Sequence, residues 1–115
     1  MPNCKRIHYI ISLLVLSEDD ILQRLQPEFD TIVANIGRDW RSLARKLGLT
    51  EGEIDYVSDQ HSTNLREQCR EALKIWARTQ LQTQGSVLGV NRRTLVSALE
   101  KCEKRALAYQ VSSLP

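Results

Sequence analysis

Cys69 and His61 are the best nucleophile and base the sequence offers, and the chemistry they would suggest is thiolate attack. Cys69, however, falls on the apolar side of its segment, where a cysteine behaves as a small buried hydrophobe. His8 and His61 are the only histidines, so no cluster of His with carboxylates can form. There is no H-E-x-x-H, no G-x-S-x-G, no phosphate-cradling G-x-x-x-x-G-K-[ST] and no G-x-G-x-x-G. Cys4, Cys69 and Cys102 contain no C-x-x-C and are odd in number, which suggests neither a zinc site nor a disulfide framework. The sequence thus points away from catalysis, and it calls for no metal and no cofactor.

Charge carries more information. Arg38, Arg41 and Arg45, followed by Lys46, fall mostly on the polar side of a helical pattern and make it basic. Glu51, Glu53, Asp55 and Asp59 make the next segment acidic. Over the whole chain the net charge is only +2, too small a bias to argue for nucleic acid. Residues 1–60 nevertheless hold seven basic and ten acidic side chains, and residues 61–115 hold nine and four. Such a polarised surface favours electrostatic pairing with complementary protein patches.

The elements that present these charges read as helices. With 115 residues the chain has room for one compact domain and a short extension. Leu22, Leu25, Phe29, Ile32, Val33 and Ile36 form one stripe, which Gly37 stops. Trp40, Leu43, Ala44 and Leu47 mark a second helix, closed by Gly48. Thr50 and Glu53 form a capping box that starts a third helix, whose apolar residues are Ile54 and Val57, with Tyr56 a further candidate. Asn64 caps the longest helix, whose inner side is Leu65, Cys69, Ala72, Leu73 and Trp76. The polar stretch from Gln80 to Gly89 reads as a loop. Asn91 or Thr94 then caps a fifth helix with Leu95, Val96, Leu99 and Cys102 buried, and Ala106, Leu107 and Val111 indicate a sixth. The expected class is all-α, an antiparallel bundle of six short helices spanning residues 18–115.

Residues 1–17 form the extension. Its apolar run, Ile7 to Leu16, is far shorter than the ~20 residues of a spanning helix, so no membrane insertion is expected. Lys5 and Arg6 ahead of that run resemble the start of a signal peptide. No A-x-A-like site follows, only Ser17-Glu18-Asp19-Asp20, and a reducing, cytoplasmic location is the default.

Two short helices joined through Gly48 also suggest a helix-turn-helix, and a nucleic-acid-binding domain is the alternative function. The would-be recognition segment, Glu51 to Gln60, carries four acids and no base, so phosphates would repel it. The basic residues before it would give only non-specific contacts.

The run Ile36-Gly37-Arg38-Asp39-Trp40-Arg41-Ser42-Leu43-Ala44-Arg45-Lys46-Leu47-Gly48-Leu49 closely resembles the second-helix motif of the death domain family. Ile54-Asp55, the segment from Asn64 to Trp76, and Leu95 to Leu99 resemble that family's third, fourth and fifth helices. The resemblance covers about residues 21 to 112. It implies a six-helix bundle without enzymatic activity, working as an adaptor that assembles signalling complexes in apoptosis or innate immunity. The implied partners are other death-domain proteins, receptor or adaptor, bound by homotypic contacts that extend to higher-order assembly. It places Arg38, Arg41 and Arg45 on a protein-binding surface, with Glu51, Asp55 and Asp59 as the complementary acidic face. The adaptor-type member it most resembles carries a death-effector domain ahead of its death domain, and the segment before residue 21 is too short for one.

Overall fold

A computed structural model of the chain describes residues 18–84 and 90–115. The extension 1–17 and the end of the expected loop, 85–89, lie outside the described residues. Among the described residues there are seven α-helices and no strand, and they make the expected all-α bundle with its first helix in two pieces.

Those pieces are α1 (Glu18–Arg24) and α2 (Gln26–Asn35). The break falls at Leu25, whose ψ of 11° is not helical. Pro27 is the cause: it has no N–H to donate, and its ring would clash with the carbonyl four residues back. The apolar stripe survives the break. Leu25, Phe29, Ile32, Val33 and Ile36 are all buried, and Leu22 is half-buried against them.

Gly37 follows with a φ of +58°, a left-handed conformation open to glycine, and turns the chain into a 3-10 turn at Gly37–Asp39. The short α3 (Trp40–Leu47) then ends at Gly48, with φ +100°, where the Leu49 N–H donates to the Ala44 carbonyl at 3.0 Å. Immediately afterwards α4 (Glu51–Gln60) begins with both halves of the capping box formed. The Glu53 N–H donates to Thr50 Oγ1 at 3.1 Å, and the Thr50 N–H donates to Glu53 Oε1 at 2.8 Å. Three residues thus separate α3 from α4, which fixes how their charged sides meet.

The longest helix, α5 (Leu65–Gln84), is capped by Asn64, whose Oδ1 accepts the Glu67 N–H at 3.1 Å. It runs past Gln80, where polarity had indicated a loop. The stretch from Gln80 to Gln84 is polar but holds no Gly or Pro, and Leu81 packs on the core. Asn91 caps α6 (Arg92–Lys101), which turns at Glu103 into α7 (Arg105–Ser112).

The longest helix is the axis of the bundle: α1, α2, α3 and α4 all pack on it, while α6 contacts α3 and α7. At its centre Trp40 and Trp76 are each 1% exposed, with the Phe29 ring tilted against Trp76 at 6.5 Å. The buried sides expected from the sequence hold with five changes. Tyr56 is 57% and Leu65 40% exposed, Ala106 is exposed, and Val96 and Cys102 are only half-buried. Ala98 and Ala108 fill those inner positions instead.

Candidate functional site

The charged corner is built by α3, the turn before it, and α4. Arg38 stands in the 3-10 turn, and Arg41 and Arg45 follow on α3. Glu51, Asp55 and Asp59 are spaced by four along the exposed side of α4.

Arg45 does not stand free. Its Nε donates to Glu51 Oε1 at 2.6 Å and its terminal nitrogen donates to Glu51 Oε2 at 3.3 Å, a two-pronged pair across the Gly48–Thr50 turn. The hydrogen bond to Glu51, then its charge, raises the Arg45 pKa, with a smaller contribution from Asp55. The same hydrogen bond lowers that of Glu51. The expected separation of the two signs onto different faces therefore fails at this end. The tight turn brings the last arginine of α3 onto the first acid of α4.

The other end is open. The Arg41 guanidinium lies 5.7 Å from the Trp40 ring centroid and donates to Ser58 Oγ at 3.1 Å. Arg38 makes no ion pair among the described residues. Together Arg38 and Arg41 line a cleft of about 280 Å³ with Trp40, Ser62, Leu65 and Gln68. Asp55 and Asp59 remain exposed on α4 and do not line this cleft.

Of the cleft's other residues, the sequence places Leu65 in the core and gives Gln68 no role. Leu65 sits at a position of the inner stripe, but as the first residue of α5 it lies at the mouth rather than in the core. Gln68 is a buried amide, 4% exposed: its Oε1 accepts the Trp40 indole N–H at 2.9 Å, and its Nε2 donates to the His61 carbonyl at 2.8 Å. Trp40 always required a partner for its N–H, but no spacing rule identifies which polar residue supplies it. Asp39, in the same motif, ion-pairs with Lys104 at the start of α7.

Cys69 is 1% exposed, and burial pushes its thiol up to about 12, so it is held protonated beside the core. The thiolate attack that opened the sequence reading is closed to it. Among the described residues no group of three or more His, Cys, Asp or Glu could hold a metal ion, and no helix is long and apolar enough to cross a membrane.

The Death domain family model matches residues 26–113, from the start of α2 to the end of α7. The chain belongs to the death domain family. The likeness to the Fas-associated death-domain adaptor, carried by the segments Gly37 to Arg45 and Arg70 to Trp76, holds as well. The chain is 37% identical to the FAS-associated death domain protein of Mus musculus over 84 residues, 73% of this chain and 38% of that protein. It is 36% identical to the Homo sapiens protein of the same name over 86 residues, 75% of this chain and again 38% of the relative. A more distant match is the Receptor-interacting serine/threonine-protein kinase 1 of Homo sapiens, 28% identical over 87 residues, only 12% of that protein. The death domain chain thus spans well under half the length of these relatives.

Proposed function

We propose that this death domain is a non-enzymatic adaptor module, which assembles signalling complexes through homotypic contacts with receptor or adaptor death domains in the cytoplasm. Apoptotic or innate immune signalling is the setting this reading favours. The observation that carries it is the cleft of Arg38 and Arg41, where two arginines and the exposed Leu65 surround the edge of a fully buried tryptophan. No carboxylate lines it. A cleft whose only charged lining residues are two arginines, with an exposed leucine at its mouth, selects an acidic partner surface.

Arg45 contributes differently from Arg41. Its charge is shared with Glu51, so it braces the α3–α4 corner while Arg38 and Arg41 face the partner. Asp55 and Asp59 present the opposite sign on another side, so one domain's acidic surface can meet the next one's basic surface. A contact of this heterologous kind propagates instead of closing as a two-fold dimer.

The test is capture from cytosolic lysate by the parent chain, Arg41→Glu and Arg45→Glu, with retained proteins identified by mass spectrometry and helicity checked by circular dichroism. Death-domain proteins held by the parent should be lost with Arg41→Glu and reduced with Arg45→Glu, at unchanged helicity. Equal capture by all three would remove the interface from this corner. Retention of nucleic acid alone would favour the helix-turn-helix alternative.

A further inference from the structure

The end of α3, the second half of α5 and the length of α6 border a cleft of about 450 Å³, which shares no lining residue with the Arg38–Arg41 cleft. Lys46 reaches it from α3, and Arg93 and Lys101 from the two ends of α6; all three are exposed. Arg93, Ser97 and Lys101 are spaced by four, so they form one stripe along the helix. The apolar residues of the cleft, Leu47, Trp76 and Ala98, are buried. What it offers a ligand is therefore polar: three cations, with half-buried Ser97 and Gln80 beside them.

None of the fourteen Asp and Glu residues of the chain lines this cleft, and the segments 1–17 and 85–89 contain neither residue. Glu100, the neighbour of Lys101, lines a different cleft against α7. Lys46, Arg93 and Lys101 make no ion pair among the described residues. Elsewhere the surface pairs its charges, as in Arg45 with Glu51, Arg70 with Asp30 and Lys104 with Asp39. The Ser97 hydroxyl and the Gln80 amide likewise have no hydrogen-bond partner among the described residues, and both can donate.

Unpaired cations gathered in a concave surface focus a positive field and draw an anion to it. The stripe on α6 sets what kind of anion fits. Eight residues of helix separate Arg93 from Lys101, about 12 Å along the axis, and Lys46 comes from another element. A single phosphate would meet all three only by drawing the long side chains together against their mutual repulsion. Several phosphates spread around one small molecule would meet them where they stand. The neutral donors suit a hydroxylated carrier, and no aromatic face is open to stack a nucleotide base, since Trp76 is 1% exposed. An acidic protein surface fits less well, because the cleft exposes no apolar side chain to anchor one. We propose that the cleft between α3, α5 and α6 binds a polyphosphorylated polyol, with Lys46, Arg93 and Lys101 on separate phosphates and Ser97 and Gln80 donating to them. This site takes nothing from the adaptor reading, which stands or falls on the Arg38–Arg41 cleft.

Isothermal titration calorimetry on the full chain, at about 0.15 M salt to screen distant charges, tests this with inositol hexakisphosphate as the probe and inorganic phosphate as its comparison. The parent should bind one equivalent of the probe, and inorganic phosphate at least ~100-fold more weakly, since each further phosphate contact adds about tenfold. Arg93→Glu/Lys101→Glu should weaken the probe at least ~10-fold, and so should Ser97→Asp, which seats a carboxylate in the cleft. Arg24→Glu/Arg66→Glu makes the same charge change as the first variant at exposed positions outside the cleft, and it should bind as the parent does. Thermal melts establish that each variant is folded, and the probe should raise the parent's melting temperature. Cosedimentation with phosphatidylcholine vesicles, with and without phosphatidylinositol bisphosphate, identifies the source of the polyol. Retention that needs this lipid and is lost with Arg93→Glu/Lys101→Glu would mark a lipid headgroup, and probe binding without retention would mark a soluble ligand. The proposal is overturned if neither probe nor vesicle binds, or if Arg24→Glu/Arg66→Glu weakens the probe as much as the cleft variants do. Equal affinity for inorganic phosphate would also overturn it, as would equal affinity for a poly-glutamate peptide, which would make the cleft a face for acidic protein.

Discussion

Two arginine–carboxylate pairs, Arg92 with Glu28 and Arg45 with Glu51, use the same groups in opposite surroundings. In the first, the Glu28 side chain is 6% exposed, Arg92 donates twice to Glu28 Oε1 at 3.0 and 2.7 Å, and a further arginine nitrogen donates to the Leu114 carbonyl at 2.6 Å. That pair ties α2, the start of α6 and the chain after α7 into one unit. In the second, the side chains are 49% and 66% exposed, and the pair joins two helices that a short turn already holds together. A buried pair is structurally demanding because losing one partner strands a charge out of water. An exposed pair adds little to the fold and acts mainly on the surface charge a partner meets. In this death domain a fold-holding arginine and a solvent-exposed one are thus distinguished by environment, not by residue type.

The contrast presumes a rigid core beneath the exposed pair, and Trp40→Ala breaks that premise with the largest effect. Trp40 is fully buried beside Arg41, and its removal should destabilise the domain by about 3–5 kcal/mol. At ~4–8 °C per kcal/mol for a domain of this size, the loss would be plain in a thermal melt. A melt that matches the parent would show that the tryptophan does not carry the core.

Arg92→Met tests the buried pair itself. It leaves the Glu28 carboxylate buried without a donor, and the expected loss is about 3 kcal/mol, the low end for such a break because Arg92 keeps about a third of its side chain in water. Glu28→Leu/Arg92→Met removes both charges and should recover most of that loss. Equal losses for the single and the double variant would show that packing, not a stranded charge, is at stake. Gln68→Leu extends the comparison to a neutral buried group: it leaves the Trp40 indole N–H and the His61 carbonyl unmatched, for about 1–3 kcal/mol. Gln68→Glu keeps an acceptor for the indole but strands a carboxylate beside the His61 carbonyl, and at neutral pH it should lose more than Gln68→Leu, as chemical denaturation can measure.

How these roles divide between sequence and structure follows from the range of each interaction. Features set within four residues were legible: the capping box at Thr50 and Glu53, the left-handed stops at Gly37 and Gly48, and the stripes that bury Trp40 and Trp76. The break at Leu25 was local too, with Pro27 as its signal, but a continuous apolar stripe concealed it. Pairs set by tertiary packing were not legible. Glu28 and Arg92 lie 64 residues apart, and nothing in either neighbourhood distinguishes them from solvated charges. The charged corner was read in part. Its basic and acidic side chains are exposed as the patterning indicated, but the short turn that folds Arg45 onto Glu51 makes one basic stripe into a braced end and an open end.

The smallest expected effect on stability belongs to the exposed pair, and it carries a sign. Arg45 holds the Glu51 carboxyl below its ordinary value, chiefly through their hydrogen bond. A carboxylate with a depressed folded-state pKa stabilises the fold above its unfolded value, about 4.3, and that contribution disappears as pH falls through the lower folded value. The Arg45 pKa is raised from an already high value, so arginine stays charged throughout this window. Melting temperatures of the parent and Arg45→Gln should therefore coincide in strong acid and separate slightly toward neutrality, with the parent higher. One molar salt should shrink the gap, because both side chains are in water. If Arg45→Gln instead lost as much as Arg92→Met, the exposed pair would be a structural clasp. Capture of a death-domain partner by Arg45→Glu would then report on folding instead of on the surface.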